Sequence, residues 1–140
     1  MITFDYEDVS ELRLDTEILT KWINAIIKKY RGISKEISFL FCSDEYILKV
    51  NREYLNHDYY TDIITFDYCE GNVISGDILI SIDTVRSNAT DYNTTFTKEL
   101  NRVIIHGILH LLGFKDNTPE RDAEMHKLED KALELLETIL

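Results

Sequence analysis

The chain has 140 residues, 44% of them hydrophobic and 29% charged, which suits one compact domain over residues 1–140 and excludes a disordered polypeptide. Its formal net charge is −11, with 15 Lys and Arg against 26 Asp and Glu, and this argues against broad, non-specific attachment to nucleic acid, DNA included. No apolar run reaches the roughly 18 residues a membrane span needs, and the acidic start MITFDYEDVSEL lacks the pattern of a secretory signal, so a cytoplasmic protein without membrane partners is expected.

The first predicted element is a helix. Asp15 caps it, Ile18, Trp22, Ile26 and Tyr30 recur every four residues, Leu19, Ile23 and Ile27 widen the stripe, and Gly32 closes it. The basic cluster of Lys28, Lys29, Arg31 and Lys35 reads as a solvated helix C-terminus, where cations complement the dipole. The β-rich run EISFLFCS (36–43) predicts a strand, after which Ser43 or Asp44 caps a helix carrying Tyr46, Ile47, Val50 and Tyr54. DIITFDY (62–68) and residues 73–82 read as two further strands, joined as a hairpin by the short Glu70–Gly71–Asn72 link. Asp83 then caps a helix running to about Tyr92. Phe96 to Leu112 follows as a helix, almost wholly apolar from Val103 onward and so buried, with Gly113 as its stop. Thr118 as cap and Pro119 at the first helical position open a last helix, with Met125, Leu128, Ala132, Leu135 and Ile139 facing inward. The pattern is that of an α+β domain, a small mixed β-sheet packed by several helices. Cys42 and Cys69, with no partner at CxxC spacing, are expected as reduced thiols, and no sulfur-rich zinc site is expected.

The segment HGILHLLGFKD (106–116) carries the chemistry. His106 and His110, four apart on a helix, project their imidazoles from one face and suit two nitrogen ligands to a single zinc-like ion. Gly113 permits a left-handed turn that ends the helix and swings the following loop back over the histidine face, which brings Asp116 in as a third ligand. The spacing H-x3-H-x2-G-x2-D copies that of the metzincin peptidases, a zincin-like site at the C-terminal end of a buried helix. Three protein ligands leave a fourth position for a water that the ion acidifies into a nucleophile. Gly107, however, stands where the zinc peptidases place their catalytic glutamate, so peptidase chemistry by that scheme lacks its proton acceptor. His126 on the last helix is an alternative third ligand, and His57 is an unassigned loop histidine.

Three blocks in the same order resemble the YbeY family of metal-dependent endoribonucleases, the ribosomal RNA maturation factors. They are NREYLNHDYYTDIITF (51–66), SGDILIS (75–81) and HGILHLLGFKD, the last resembling the family signature His-Gly-x-Leu-His-Leu-x-Gly-aromatic-Asp-His. The resemblance implies a zinc-binding, single-strand-type RNase that matures the 3′ end of small-subunit ribosomal RNA and serves ribosome quality control, with ribosomal RNA and small-subunit ribosomal proteins as partners. His106 and His110 match the family's first two metal-binding histidines. Asp116 stands where the family has histidine, which keeps the site for one zinc ion per chain and makes it more tolerant of other divalent ions. Leu55 occupies the place of a family arginine thought to assist catalysis. Arg52 or Arg86 is the candidate replacement for its charge, and Asp62 and Asp77 are candidates to orient ligands or water. Two other readings stay open: a non-catalytic ribosome-assembly or RNA-binding factor with a structural metal, motivated by Leu55 and the net charge, and a metal-dependent hydrolase of another substrate.

Overall fold

Ile37, Phe39 and Phe41 alternate with Ser38, Leu40 and Cys42, which makes a strand with two packable faces, and the fold is built outward from it. A computed structural model describes residues 1–140. In chain order its elements are β1 (Ile2–Tyr6), α1 (Thr16–Lys29), β2 (Ile33–Cys42), α2 (Asp44–Leu55), β3 (Ile63–Asp67), β4 (Val73–Ser81), α3 (Ile82–Asp91), α4 (Phe96–Leu111) and α5 (Pro119–Ile139). The sheet runs β1-β2-β4-β3, with β1 and β4 parallel to β2 and β3 antiparallel to β4, so the α+β class and the mixed sheet are as expected.

Ile37, Phe39 and Phe41 of β2 and Ile74, Ile78 and Ile80 of β4 point to one face, where α1, α4 and α5 cover them in a core of 24 buried residues. Trp22 lies at its centre and donates its Nε1–H to the Ala132 carbonyl at 2.8 Å, which ties α1 to α5. On the other face Ile47 and Val50 of α2 close over Cys42, Ile64 and Leu79. Burying each such side chain contributes about 1.5–3 kcal/mol, so α4, apolar nearly all round, is held as the central helix of the domain. No helix is long and apolar enough to cross a membrane.

Several local expectations are corrected. β1 was not anticipated: Ile2, Phe4 and Tyr6 alternate with Thr3 and Asp5, and Phe4 stacks on Phe39 at 5.2 Å between ring centroids. β2 begins at Ile33, three residues earlier than the apolar run suggests, and carries an irregularity between Ser34 and Ile37. Gly32 does not supply the left-handed turn after α1; Arg31 does, at φ 63°. Gly32 is needed for space, since a Cβ there would lie 2.9 Å from side-chain carbons of both Ile27 and Ile74. Ser81, not Asp83, caps α3 by accepting from the Thr84 N–H, because β4 runs to Ser81 and the helix starts at once. Asp83 instead accepts from the Asp44 N–H at the start of α2. Of the two caps considered for α2, Ser43 is the one used. On α5, Leu136 is buried, while Leu135 and Ile139 are only partly so. Cys42 and Cys69 are both free, and burial, with Asp8 behind it, pushes the Cys42 thiol up to about 12.

Candidate metal centre

The last turn of α4 sets the site. Gly113 takes φ 100°, its N–H returns to the His110 carbonyl at 2.9 Å, and the Phe114 N–H returns to the Leu109 carbonyl at 3.0 Å. These are the paired bonds of a glycine-terminated helix end, and they turn the chain back across the face that α4 has just presented. Phe114 meets Tyr30 edge to face at 5.1 Å, which anchors the loop, and Thr118 then caps α5. The loop thereby delivers Asp116 to the two histidines.

His106 and His110 stand with ring centroids 4.5 Å apart and nearly perpendicular. Their Nε2 atoms are 2.9 Å from each other, and Asp116 Oδ2 lies 3.4 Å from the first and 3.5 Å from the second. One donor atom from each residue falls within 4.8 Å of the others, so the three together could hold a metal ion. Donors about 2.0–2.1 Å from a tetrahedral ion stand roughly 3.3–3.4 Å apart. The two edges to Asp116 match that spacing, and the edge between the histidines is tighter. The donor set is also chemically apt, with two ring nitrogens and one carboxylate oxygen converging on one point.

A fourth side chain, missed in the sequence, reaches the cluster from α5. Glu129, 2% exposed, takes a hydrogen bond from His106 Nδ1 at 2.7 Å. A carboxylate only accepts, so the hydrogen is on Nδ1, and in the neutral imidazole the lone pair of Nε2 faces His110 and Asp116. Arg102, one turn before His106 on α4, donates to Glu129 Oε1 at 2.9 Å and to Asp130 at 2.8 Å. Burial alone would push Glu129 up, but the hydrogen bonds from His106 and Arg102 outweigh it and hold the carboxyl below its ordinary value. Burial would likewise push His106 down, yet the hydrogen bond and charge of Glu129, with Asp116 and Asp62 adding to them, leave it raised. His110 is lowered by burial and by the neighbouring His106. The signal for Glu129 was available, because Met125, Glu129, Ala132 and Leu136 recur along one buried stripe and an acid on that stripe is an anomaly.

The remaining candidates divide clearly. Asp62, just before β3, lines a polar cavity of about 1060 Å³ together with His106, Arg102, Glu99 and Glu129, and burial raises its carboxyl. Asp77 lies instead in a groove of about 420 Å³ with Phe39, Leu40 and Tyr46, away from the histidines. Arg52 pairs with Asp58 on the surface, and Arg86 lies over the Phe96 ring at 4.5 Å; neither lines the polar cavity. His126 is exposed, 3.3 Å from Glu129 and 3.6 Å from Asp122, and takes no place in the donor cluster. His57 stacks on Tyr59 at 5.1 Å in the loop after α2.

Comparison with known proteins agrees with this fold. The family model described as Endoribonuclease YbeY matches residues 4–137. A protein of Porphyromonas gingivalis named Endoribonuclease YbeY is 55% identical over 139 residues, covering 99% of this chain and 92% of its own length. One of the same name from Bacteroides fragilis is 51% identical over 132 residues, covering 94% of this chain and 95% of its own. A Thermotoga maritima protein of known solution structure superposes with a TM-score of 0.67 at 29% identity, over 99% of this chain and 93% of that one. The glycine-terminated histidine helix and its returning loop thus sit in a chain that belongs to the YbeY endoribonuclease family.

Proposed function

We propose that this chain is an endoribonuclease that hydrolyses phosphodiester bonds of single-stranded RNA with one divalent ion held by His106, His110 and Asp116. The observation that carries the reading is the convergence of those three donors at the end of α4, in a chain whose relatives are named endoribonucleases. Zinc fits a set of two imidazoles and one carboxylate, and the carboxylate admits harder ions as well. Such an ion supplies Lewis acidity and an acidified water to a bound phosphate. His106 and His110, partly open at 21% and 28% side-chain exposure, leave the substrate a way to the cluster. Asp62, raised by its burial beside His106, is the carboxyl in the adjoining cavity suited to orient or accept a proton from water. The cytoplasmic maturation of the 3′ end of small-subunit ribosomal RNA, and ribosome quality control, are the roles we propose for this activity, with ribosomal RNA and small-subunit proteins as partners.

The test is cleavage of single-stranded and structured RNA by purified protein. Cleavage that stops with a chelator, returns with zinc and is lost in His110→Ala supports the reading. Full activity in the chelated protein or in that variant refutes it. One observation favours a second reading as a ribosome-assembly factor: Leu55, 39% exposed at the end of α2, offers no guanidinium to a phosphate. Co-sedimentation with ribosomes without any cleavage would select it.

A further inference from the structure

Glu129 is the most buried carboxylate of the chain, and a charge placed so deep is strongly destabilising unless it is fully partnered. Both of its oxygens are engaged. Oε2 accepts from His106 Nδ1 at 2.7 Å, and Oε1 accepts from Arg102 Nη1 at 2.9 Å. His106 and Arg102 come from the same face of α4, one turn apart, while Glu129 comes from α5. The three form a line that ends on the opposite ring nitrogen of His106, 3.4 Å from Asp116 Oδ2.

A simple α4–α5 ion pair would need only Arg102 and a carboxylate, and Arg102 already has the more exposed Asp130 at 2.8 Å. The further contact to His106 is what the pair alone does not explain. His110 has no carboxylate on its far side. Glu129 therefore serves only one of the two histidines.

We propose that Glu129 is a positioning residue of the metal centre. It takes the Nδ1–H of His106, fixes the ring plane and tautomer with Nε2 aimed at His110 and Asp116, and is itself locked in place by Arg102. The proposal rests on the metal reading above. Outer partners of this kind orient a ligating imidazole and increase its basicity, and their loss typically weakens metal binding by about 10–100-fold.

The experiment measures zinc affinity by competition with a chromogenic chelator for the wild type, Glu129→Gln, Glu129→Asp and the exposed control Glu134→Gln. Nitrogen-15 spectra of the metal-free proteins report the His106 tautomer, with His106→Ala to assign its signals. Circular dichroism confirms that each variant is folded. Glu129→Gln is expected to weaken zinc binding by about 10–100-fold and to lose the pure Nδ1–H tautomer, with Glu134→Gln within about twofold of wild type. Glu129→Asp keeps a charge for Arg102 but withdraws it from His106 by one methylene. It is expected to lose affinity as well, whereas a purely structural pair would leave zinc binding unchanged. If wild type binds zinc and both Glu129 variants bind it equally well with the tautomer intact, the role of Glu129 is overturned alone. A wild type that takes up no zinc overturns the metal reading itself, and this proposal with it.

Discussion

Gly107 sits beside the first histidine, and what it touches can be turned into a measurement. It faces away from the histidine pair, onto the sheet: a Cβ there would lie 3.0 Å from Ile63 Cδ1 and 3.1 Å from both Ile78 Cδ1 and Cγ2. Replacing glycine by alanine inside a helix returns about 1 kcal/mol of propensity, while overfilling a packed core costs about 1–3 kcal/mol. Gly107→Ala should therefore lose between about 0 and 2 kcal/mol, with the outcome set by how far the two isoleucines retreat. Gly107→Glu is a different case. Its chain is longer, and its carboxyl would lie unpartnered among Ile63 and Ile78, adding at least about 1–3 kcal/mol to the steric cost. A total loss of about 1–5 kcal/mol follows, which at roughly 2 kcal/mol per molar urea lowers the unfolding midpoint by about 0.5–2.5 M. Equilibrium urea unfolding of the metal-free proteins, followed by circular dichroism, reads this directly. A Gly107→Glu protein with its midpoint within about 0.3 M of wild type, or one that gained casein hydrolysis, would refute the reasoning. The glutamate of the zinc peptidases is excluded here by packing as well as by sequence.

Trp22→Phe removes the Nε1–H that reaches the Ala132 carbonyl and leaves a void in the central core, so a loss of about 1–3 kcal/mol is expected in the same urea assay, and an unchanged midpoint would contradict the α1–α5 tie. The Glu129–His106 pair makes a pH prediction for the metal-free protein. Glu129, held below its ordinary 4.5, contributes stability that is present above that value and lost as pH falls through its folded pKa. His106, held above its ordinary 6.5, contributes stability that is present below that value and lost as pH rises through its folded pKa. His110 is lowered and works in the opposite direction, losing its contribution as pH falls below 6.5. Glu129→Gln removes the Glu129–His106 coupling, so the stability difference from wild type should be greatest between about pH 4.5 and 6.5 and shrink on both sides. A difference that stays flat from about pH 3 to 9 would show that the pair is not coupled.

The candidate site was legible where its logic is local. Helical spacing of His106 and His110, the glycine stop and the carboxylate that follows all lie within eleven consecutive positions, and the fold placed them as that spacing requires. Long-range partners were not legible. Glu129 lies 23 positions beyond His106, and only the packing of α5 on α4 brings it to the ring. β1 escaped notice for the same reason. Its period-two alternation is present, but five residues next to an acidic stretch read as a strand only once Ile37 to Phe41 of β2 are seen pairing with them. The cap of α3 turned on where β4 ends, since Ser81 and Asp83 are both good capping residues and the strand settles which one lies at the junction. Gly32 shows that a glycine after a helix need not be its turn, because the space between Ile27 and Ile74 gives a second reason to exclude a side chain.

The central claim is that His106, His110 and Asp116 hold one divalent ion, and the most direct measurement is metal content by elemental analysis on protein purified without added metal. The account predicts close to about one divalent ion per chain for the wild type, and almost none for His106→Ala or Asp116→Ala that keep the wild-type circular dichroism spectrum. Wild-type protein without metal even after dialysis against zinc, or a His106→Ala variant that retains the full complement, would contradict it.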